Sequence, residues 1–343
     1  MVLVIFRANE TNMKRLLMLL VLVFAGCGDP SGVELLPEEI ISQVNASGKI
    51  SDEQVETLSK VEGKLCLDGL TSITDSQAEI LSKVGSRNFD ANSLLATSQV
   101  GGLYLNGLTA ITDQQAESLS KVKILSLNGL TSITEKQAES LGKVESLLLG
   151  GLTSITEAQA ESLGQNKNAK TLGLGGLRTI TDKQAESLGS VFFLGLPGLI
   201  SITEAQAESL SKVQHLSLNG LTSITDLQAE SLSKVYFLSL DGLLSINDKQ
   251  AESLSKVQCL FLTGLTSITD QQADSLSKNE AYLSLGGLTS ITEKQAESLG
   301  KVESLLLGGL TSITDEQAKS LSKVEDLTIS EALQPLIDKY KKQ

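Results

Sequence analysis

The sequence predicts an α/β solenoid of parallel strands, and three observations predict it. A stretch of the form LSLNGLTSITEKQAESLGKV, at Leu125–Val144, recurs with small changes from Leu65 to Val324. The interval from Leu103 to Leu125 to Leu147 is 22 residues, and it returns through most of the chain. Each copy joins two periodicities, an alternation of two and then a capped helical turn.

Within one copy, Val122, Leu125 and Leu127 predict a short strand with the Leu125/Leu127 pair on its buried face. Gly129-Leu130 turns the chain and Ile133 points back inside. Thr134 is a good N-cap, and Gln137 three residues later completes a capping box. Glu135 adds negative charge in the first turn, where the helix dipole favours it. Ala138 and Leu141 share one face and pack inward, and Val144 begins the next turn. Glu139 and Lys143 sit four apart with Glu first, worth ~0.2–0.5 kcal/mol on an exposed face. Gly69, Gly107, Gly198 and Gly309 form one column and Gln77, Gln206 and Gln317 another. The Gln column reads as capping in preference to a ladder of ligand-binding amides.

The pattern V-x-x-L-x-L-x-x-L-x-x-I-T-D/E resembles a leucine-rich repeat, closest to the cysteine-containing subtype, with Leu130 and its equivalents in the Cys place. The resemblance covers about residues 50–329. It implies a horseshoe or arc with the parallel β-sheet on its concave face and short helices on its convex face. It also implies macromolecular partners bound along the concave strands.

Taken in order, residues 1–26 read as a secretory signal whose true start is Met13. Met13-Lys14-Arg15 is a charged opening, and the apolar run Leu16–Gly26 is too short to span a bilayer. Phe24-Ala25-Gly26-Cys27 resembles a bacterial lipobox, which implies lipidation of Cys27; an ordinary signal peptide with a chance cysteine is the alternative. Acyl chains on one cysteine would anchor the chain firmly. Gly28 then implies the outer membrane or the cell surface. Residues 27–32 are the tether and 33–61 an N-terminal cap over the first core face. The array occupies 62–329 as about eleven repeats, irregular at 85–100, a decayed copy, and at 165–170, a short polar insertion. Residues 330–343 form a C-terminal helical cap, with Leu333, Leu336, Ile337 and Tyr340 inward and Pro335 tolerated near its first turn.

The formal net charge is -13. Removal of residues 1–26, which carry Arg7, Lys14, Arg15 and Glu10, makes it -15. That balance argues against nucleic acid, which attracts basic patches, and against direct attraction to an anionic bilayer. Membrane association is thus expected through the lipid anchor only, on a chain expected to be monomeric. Cys66 and Cys259 lie in distant repeats, beyond disulfide reach of each other, and both are expected to be free thiols on outward strand positions. His215 is the only histidine. The acidic residues are repeated helix-surface copies, with no unique carboxylate pair, metal-ligand spacing or phosphate-binding glycine loop. No enzyme, cofactor or metal is expected. The broken column of Asp68, Asn106, Asn128, Asn219 and Asp241 is conceivable for calcium, but turn geometry explains it better.

The informative variation lies at outward strand positions, namely Tyr104, Leu148, Phe193, His215, Phe237, Phe261, Tyr282 and Leu306. Phe192 and Tyr236 lie one residue further back. Aromatics make up only 3% of the chain, so this gathering reads as a candidate ligand strip on the concave surface. Strand propensity alone is the competing explanation. Two functions follow. One is a membrane-anchored recognition scaffold for a protein, peptide or glycan. The other is an envelope lipoprotein serving as spacer or coat.

Overall fold

Thr or Ser, followed three residues later by Gln, starts almost every helix of this protein, and the reason is visible in the bonds each pair makes. In the computed structural model the described residues are 38–61, 63–84, 101–165, 171–279 and 281–341. The signal, the lipidation site and tether, the irregularity at 85–100 and nearly all of that at 165–170 lie outside them. The chain divides into two compact units, Met1–Gly151 and Leu152–Gln343.

The first unit opens with α1 (Glu38–Ser47) and α2 (Asp52–Leu58), the expected N-terminal cap, which bury Val44, Val55 and Leu58. The α1 helix ends at Gly48, whose φ of 68° is the left-handed conformation that favours glycine. Asn45 accepts from the Gly69 amide at 2.9 Å, one position beyond Asp68, whose column in the later repeats receives such a bond, as Asn128 does from Asn106. Four strands follow, β1 (Lys64–Cys66), β2 (Gly102–Tyr104), β3 (Ile124–Ser126) and β4 (Ser146–Leu148), separated by α3 (Asp75–Leu81), α4 (Asp113–Leu119) and α5 (Glu135–Leu141). All pairings among the four are parallel, with Leu103 opposite Leu125 and Leu125 opposite Leu147. The β1 strand pairs directly with β2, Leu65 opposite Leu103, although 38 residues separate them instead of 22.

The second unit repeats the scheme eight times. Its strands are β5 (Thr171–Gly173), β6 (Phe193–Gly195), β7 (His215–Ser217), β8 (Phe237–Ser239), β9 (Cys259–Phe261), β10 (Tyr282–Ser284), β11 (Ser304–Leu307) and β12 (Asp326–Ile329). Its helices are α6 (Glu157–Gly164), α7 (Asp182–Leu188), α8 (Glu204–Leu210), α9 (Asp226–Leu232), α10 (Asp248–Leu254), α11 (Asp270–Leu276), α12 (Glu293–Leu299), α13 (Asp315–Leu321) and α14 (Gln334–Lys341). The pairing is again parallel, Leu194 opposite Leu216, Leu216 opposite Leu238 and Leu283 opposite Leu305. One residue is added between β9 and β10. There Asn279 takes the place of the usual Val, and its amide donates to the Val257 carbonyl. The closing α14 buries Ile337, while Leu333, Leu336 and Tyr340 stay half-buried.

Most strands are three residues long, shorter than the Val-to-Leu span expected, although the second Leu still bonds across to the next strand, as the Leu218 amide does to the Ser239 carbonyl at 2.9 Å. Leu216, Leu218, Ala229 and Leu232 are fully buried, as are their equivalents in neighbouring repeats. Burial of each leucine relative to solvent stabilises by ~1.5–3 kcal/mol. Thr225 accepts from the Gln228 amide, and the Thr225 amide donates to Gln228 Oε1. The Gln column thus caps, as the sequence indicates. It also does what one repeat alone cannot reveal: Gln228 Nε2 donates to the Ile202 carbonyl at 2.7 Å, stitching each helix to the loop before it. The same stitch is made by Gln115, Gln137, Gln184, Gln206, Gln250, Gln272, Gln295 and Gln317.

A second inter-repeat bond depends on one methylene. Where the first helical residue is Asp, the N-cap side chain of the next repeat donates to it, as in Thr134 to Asp113, Thr203 to Asp182 and Asn247 to Asp226, at 2.7–3.0 Å. Where it is Glu, as at Glu157, Glu204 and Glu293, no such bond is made by Thr181, Thr225 or Thr314 among the described residues. The Gly column follows from the same close stacking: a Cβ on Gly242 would fall onto the Asn219 carbonyl oxygen. Asn and Asp at the strand ends run as a ladder, Asn106 accepting from Asn128 and Asn219 from Asp241. These bonds run between repeats, 22 residues apart, beyond the turn geometry that the sequence suggests for that column.

Candidate functional site

Each strand has one inward leucine at its centre and an outward residue on either side, so the outward face carries a leading and a trailing column. The eight residues singled out from the sequence divide between them. Phe193, His215, Phe237 and Tyr282 lead their strands, whereas Tyr104, Leu148, Phe261 and Leu306 trail.

In the first unit they stay apart. Tyr104 has Lys64 4.7 Å from its ring centre, a cation–π contact, and Leu148 ends β4 beside Ser126. In the second unit the register aligns Phe193, His215, Phe237, Cys259 and Tyr282 on consecutive strands. Phe193 lies flat on His215, 5.0 Å between ring centres with the planes 8° apart. Phe237 is 5.5 Å beyond His215. Cys259 interrupts the leading column, and the ring of Phe261 fills the gap from the trailing one, 4.8 Å from Phe237 and 5.1 Å from Tyr282. These distances fall in the range where offset aromatic pairs attract by ~0.5–1.5 kcal/mol each. Phe192 and Tyr236 both lean on His215, at 5.0 and 6.1 Å. Leu306 lies on β11, opposite Ser284 and outside these ring contacts.

The face is less exposed than strand alternation alone suggests. Phe237 and Tyr282 keep 4% of their surface accessible and His215 6%, and Tyr104 and Leu148 are also buried. Phe193, Phe261 and Leu306 are half-buried, and Phe192, 50% accessible, is the ring most open to solvent. Burial sets the electrostatics. It lowers the His215 pKa to about 4, so the imidazole is neutral at pH 7. Its Nδ1 is buried with no hydrogen-bond partner among the described residues. Burial, with the Asp326 and Cys259 charges adding to it, raises the Tyr282 hydroxyl.

The cysteines need one correction. Cys259 is free, but burial pushes its thiol up to about 12, so it is a poor nucleophile. Cys66 is disulfide-bonded, contrary to the expectation of a free thiol. That expectation weighed only a bridge between Cys66 and Cys259, and the third cysteine of the chain, Cys27, lies outside the described residues. Among the described residues no three His, Cys, Asp or Glu side chains cluster as metal ligands. No helix among them is long and apolar enough to cross a membrane.

No protein-family model and no curated protein matches this sequence. Solved structures do match, each at 16% identity. TLR13 in its complex with ssRNA13 is matched over 82% of this chain and 41% of its own, with a TM-score of 0.50. Toll, in the Toll–Spatzle complex of Drosophila, is matched over 67% and 36%, with 0.48. An internalin from Listeria monocytogenes is matched over 85% and 88%, with 0.45. This chain therefore spans well under half the length of the Toll and TLR13 chains. The TLR13 likeness shows fold alone, and it agrees with the strand register and capped helices: the fold is an α/β leucine-rich repeat solenoid.

Proposed function

We propose that this protein is a non-catalytic recognition scaffold, held at a bacterial membrane by a lipid on Cys27, that binds a protein, peptide or glycan along the outward strand face of its second unit. The observation that carries the reading is the unbroken run of rings from Phe193 through His215, Phe237 and Phe261 to Tyr282. Aromatic side chains concentrate in the cores of recognition surfaces, because they offer large, rigid contact area at little entropic cost. That the solved Toll and TLR13 structures are complexes, one with Spatzle and one with an RNA, is consistent with the fold serving recognition. The acidic balance of this chain speaks against an RNA ligand here.

The test is an alanine scan of Phe193, Phe237, Phe261 and Tyr282, with partners cross-linked in the native envelope. The expected result is loss of one defined partner at about tenfold or more, equivalent to ~1.4 kcal/mol, in variants that remain folded at the temperature of the assay. An unchanged set of partners sinks the reading. The burial of Phe237 and Tyr282 favours one alternative, a spacer or coat in which the rings only brace the strands. That alternative expects loss of envelope integrity on deletion and no partner.

The anchor is tested separately. A lipid thioether and a disulfide compete for one sulfur, so Cys27 cannot carry both. With three cysteines in the sequence and Cys259 free, an acylated Cys27 and the Cys66 disulfide exclude one another within one chain. Mass spectrometry of the mature, unreduced chain is expected to find Cys27 as the acylated N-terminus, with the Cys66 disulfide confined to forms not yet acylated. Finding Cys27 in a disulfide rules the anchor out.

A further inference from the structure

We infer, resting on the recognition reading above, that what the second unit holds is an uncharged stretch of polypeptide that donates one hydrogen bond to His215 Nδ1, and not a sugar or nucleobase stacked on the rings. Three observations meet at this residue.

The first is that the ring faces are taken. Sugars and bases are gripped by laying their flat sides on aromatic faces. Here the centres of successive rings from Phe193 to Tyr282 lie 4.8–5.5 Å apart, with planes 8–36° from parallel. No flat group enters such a stack unless the rings part, and each ring is tied to a strand paired to the next at ~4.8 Å. The ladder therefore offers edges, which suit aliphatic and amide groups.

The second is the nitrogen itself. His215 is 6% accessible and its Nδ1 has no partner among the described residues. A buried polar atom with no partner loses its hydration and gains nothing in return. Phe193 and Phe237 occupy the same column on the neighbouring strands and leave no such atom, so phenylalanine would fill this place at lower cost. A neutral imidazole with its proton on Nε2 presents Nδ1 as an acceptor, and a backbone N–H or a Ser or Thr hydroxyl supplies the donor. Phe192, half in solvent and 5.0 Å from His215, is the most exposed of the rings packed against it.

The third is charge. The strand-start and leading positions around the ladder that are not aromatic are Gln214, Gln258, Cys259 and Ala281, and the trailing ones are Gly195 and three serines, none of them charged. The Asp326 charge acts on Tyr282, at the far end of the run, so an ionised side chain set beside His215 would lose hydration with no counter-charge next to it.

The experiment uses the full chain on three surfaces: short synthetic peptides built from Ser, Thr, Asn, Val and Leu; the same peptides with Lys or Asp at alternate positions; and soluble oligosaccharides. The uncharged peptides are expected to bind best. The His215→Phe variant, which keeps the ring stack, is expected to bind them about tenfold less while melting at a higher temperature. Preference for oligosaccharides or charged peptides overturns the inference. So does equal binding of uncharged peptides by His215→Phe, and in that case the recognition reading still stands. Silence on every surface, together with an unchanged partner set in the alanine scan, fails both.

Discussion

The two units share one repeat and differ in what they show on the strands. Inward, Leu103, Leu125 and Leu147 of the first unit match Leu194, Leu216 and Leu238 of the second, and the residue two positions later is leucine in every case. Outward, the first unit has Gly102, Ile124 and Ser146 leading its strands, and no two rings meet among its described residues. The second has Phe193, His215 and Phe237 on consecutive strands, with Phe261 and Tyr282 continuing the stack. The lesson is where the fold leaves freedom. An inward change leaves a cavity or a clash that the close-packed repeats cannot absorb, whereas an outward change meets only its strand neighbours. Divergence therefore collects outward, and in the second unit it has collected as rings.

Four measurements sharpen or break this comparison. The largest effect is expected inward and equal in the two units. Leu125→Ala and Leu238→Ala should each cost ~2–5 kcal/mol in urea unfolding. A much smaller loss in either unit breaks the inward equivalence.

Next come the outward rings. Phe237 has His215, Phe261 and Phe193 around it at 4.8–6.4 Å, whereas Tyr104 has one lysine over its face. Phe237→Ala is expected to cost at least ~1 kcal/mol more than Tyr104→Ala, the worth of one or two aromatic pairs. Equal costs would mean that the ring contacts add nothing beyond burial.

The third effect depends on pH and belongs to the second unit alone. Burial lowers His215 from its ordinary 6.5 to about 4. Between those values the unfolded chain takes up a proton that the folded chain refuses, so stability should fall as pH drops from 6.5 towards 4. Comparison with His215→Phe isolates this contribution from the acidic residues, and identical pH profiles for the two proteins would contradict it.

The smallest effect concerns the helix starts. Glu204→Asp should gain the bond from Thr225 that Asp182 already receives from Thr203, and stabilise by ~0.5–1 kcal/mol. Asp113→Glu, losing the bond from Thr134, should cost as much. Thermal melts of both variants read the sign directly.

Much of this was legible before any coordinates. The 22-residue interval gave the repeat, the Leu-x-Leu spacing gave the buried face, and Thr134 with Gln137 gave the helix start. The eight outward residues were legible as a set, and so was the place of Phe192 and Tyr236 beside them. Their arrangement was not. Alternation assigns Phe261 and Tyr282 to different columns, and only the register shows Phe261 filling the space that Cys259 leaves. The register also brings β1 directly against β2 across 38 residues, a pairing the 22-residue rule does not foresee.

What the sequence determined by itself was everything carried within one repeat: the inward leucines and the capping box. These are short-range matters, fixed by spacing along the chain. The tertiary structure decided what passes between repeats. Gln228 reaches the Ile202 carbonyl, Asp182 accepts from Thr203, and His215 is shut between rings with one nitrogen unanswered. Each of these depends on which atom of a neighbouring repeat lies within about 3 Å, and a one-dimensional pattern cannot express that distance.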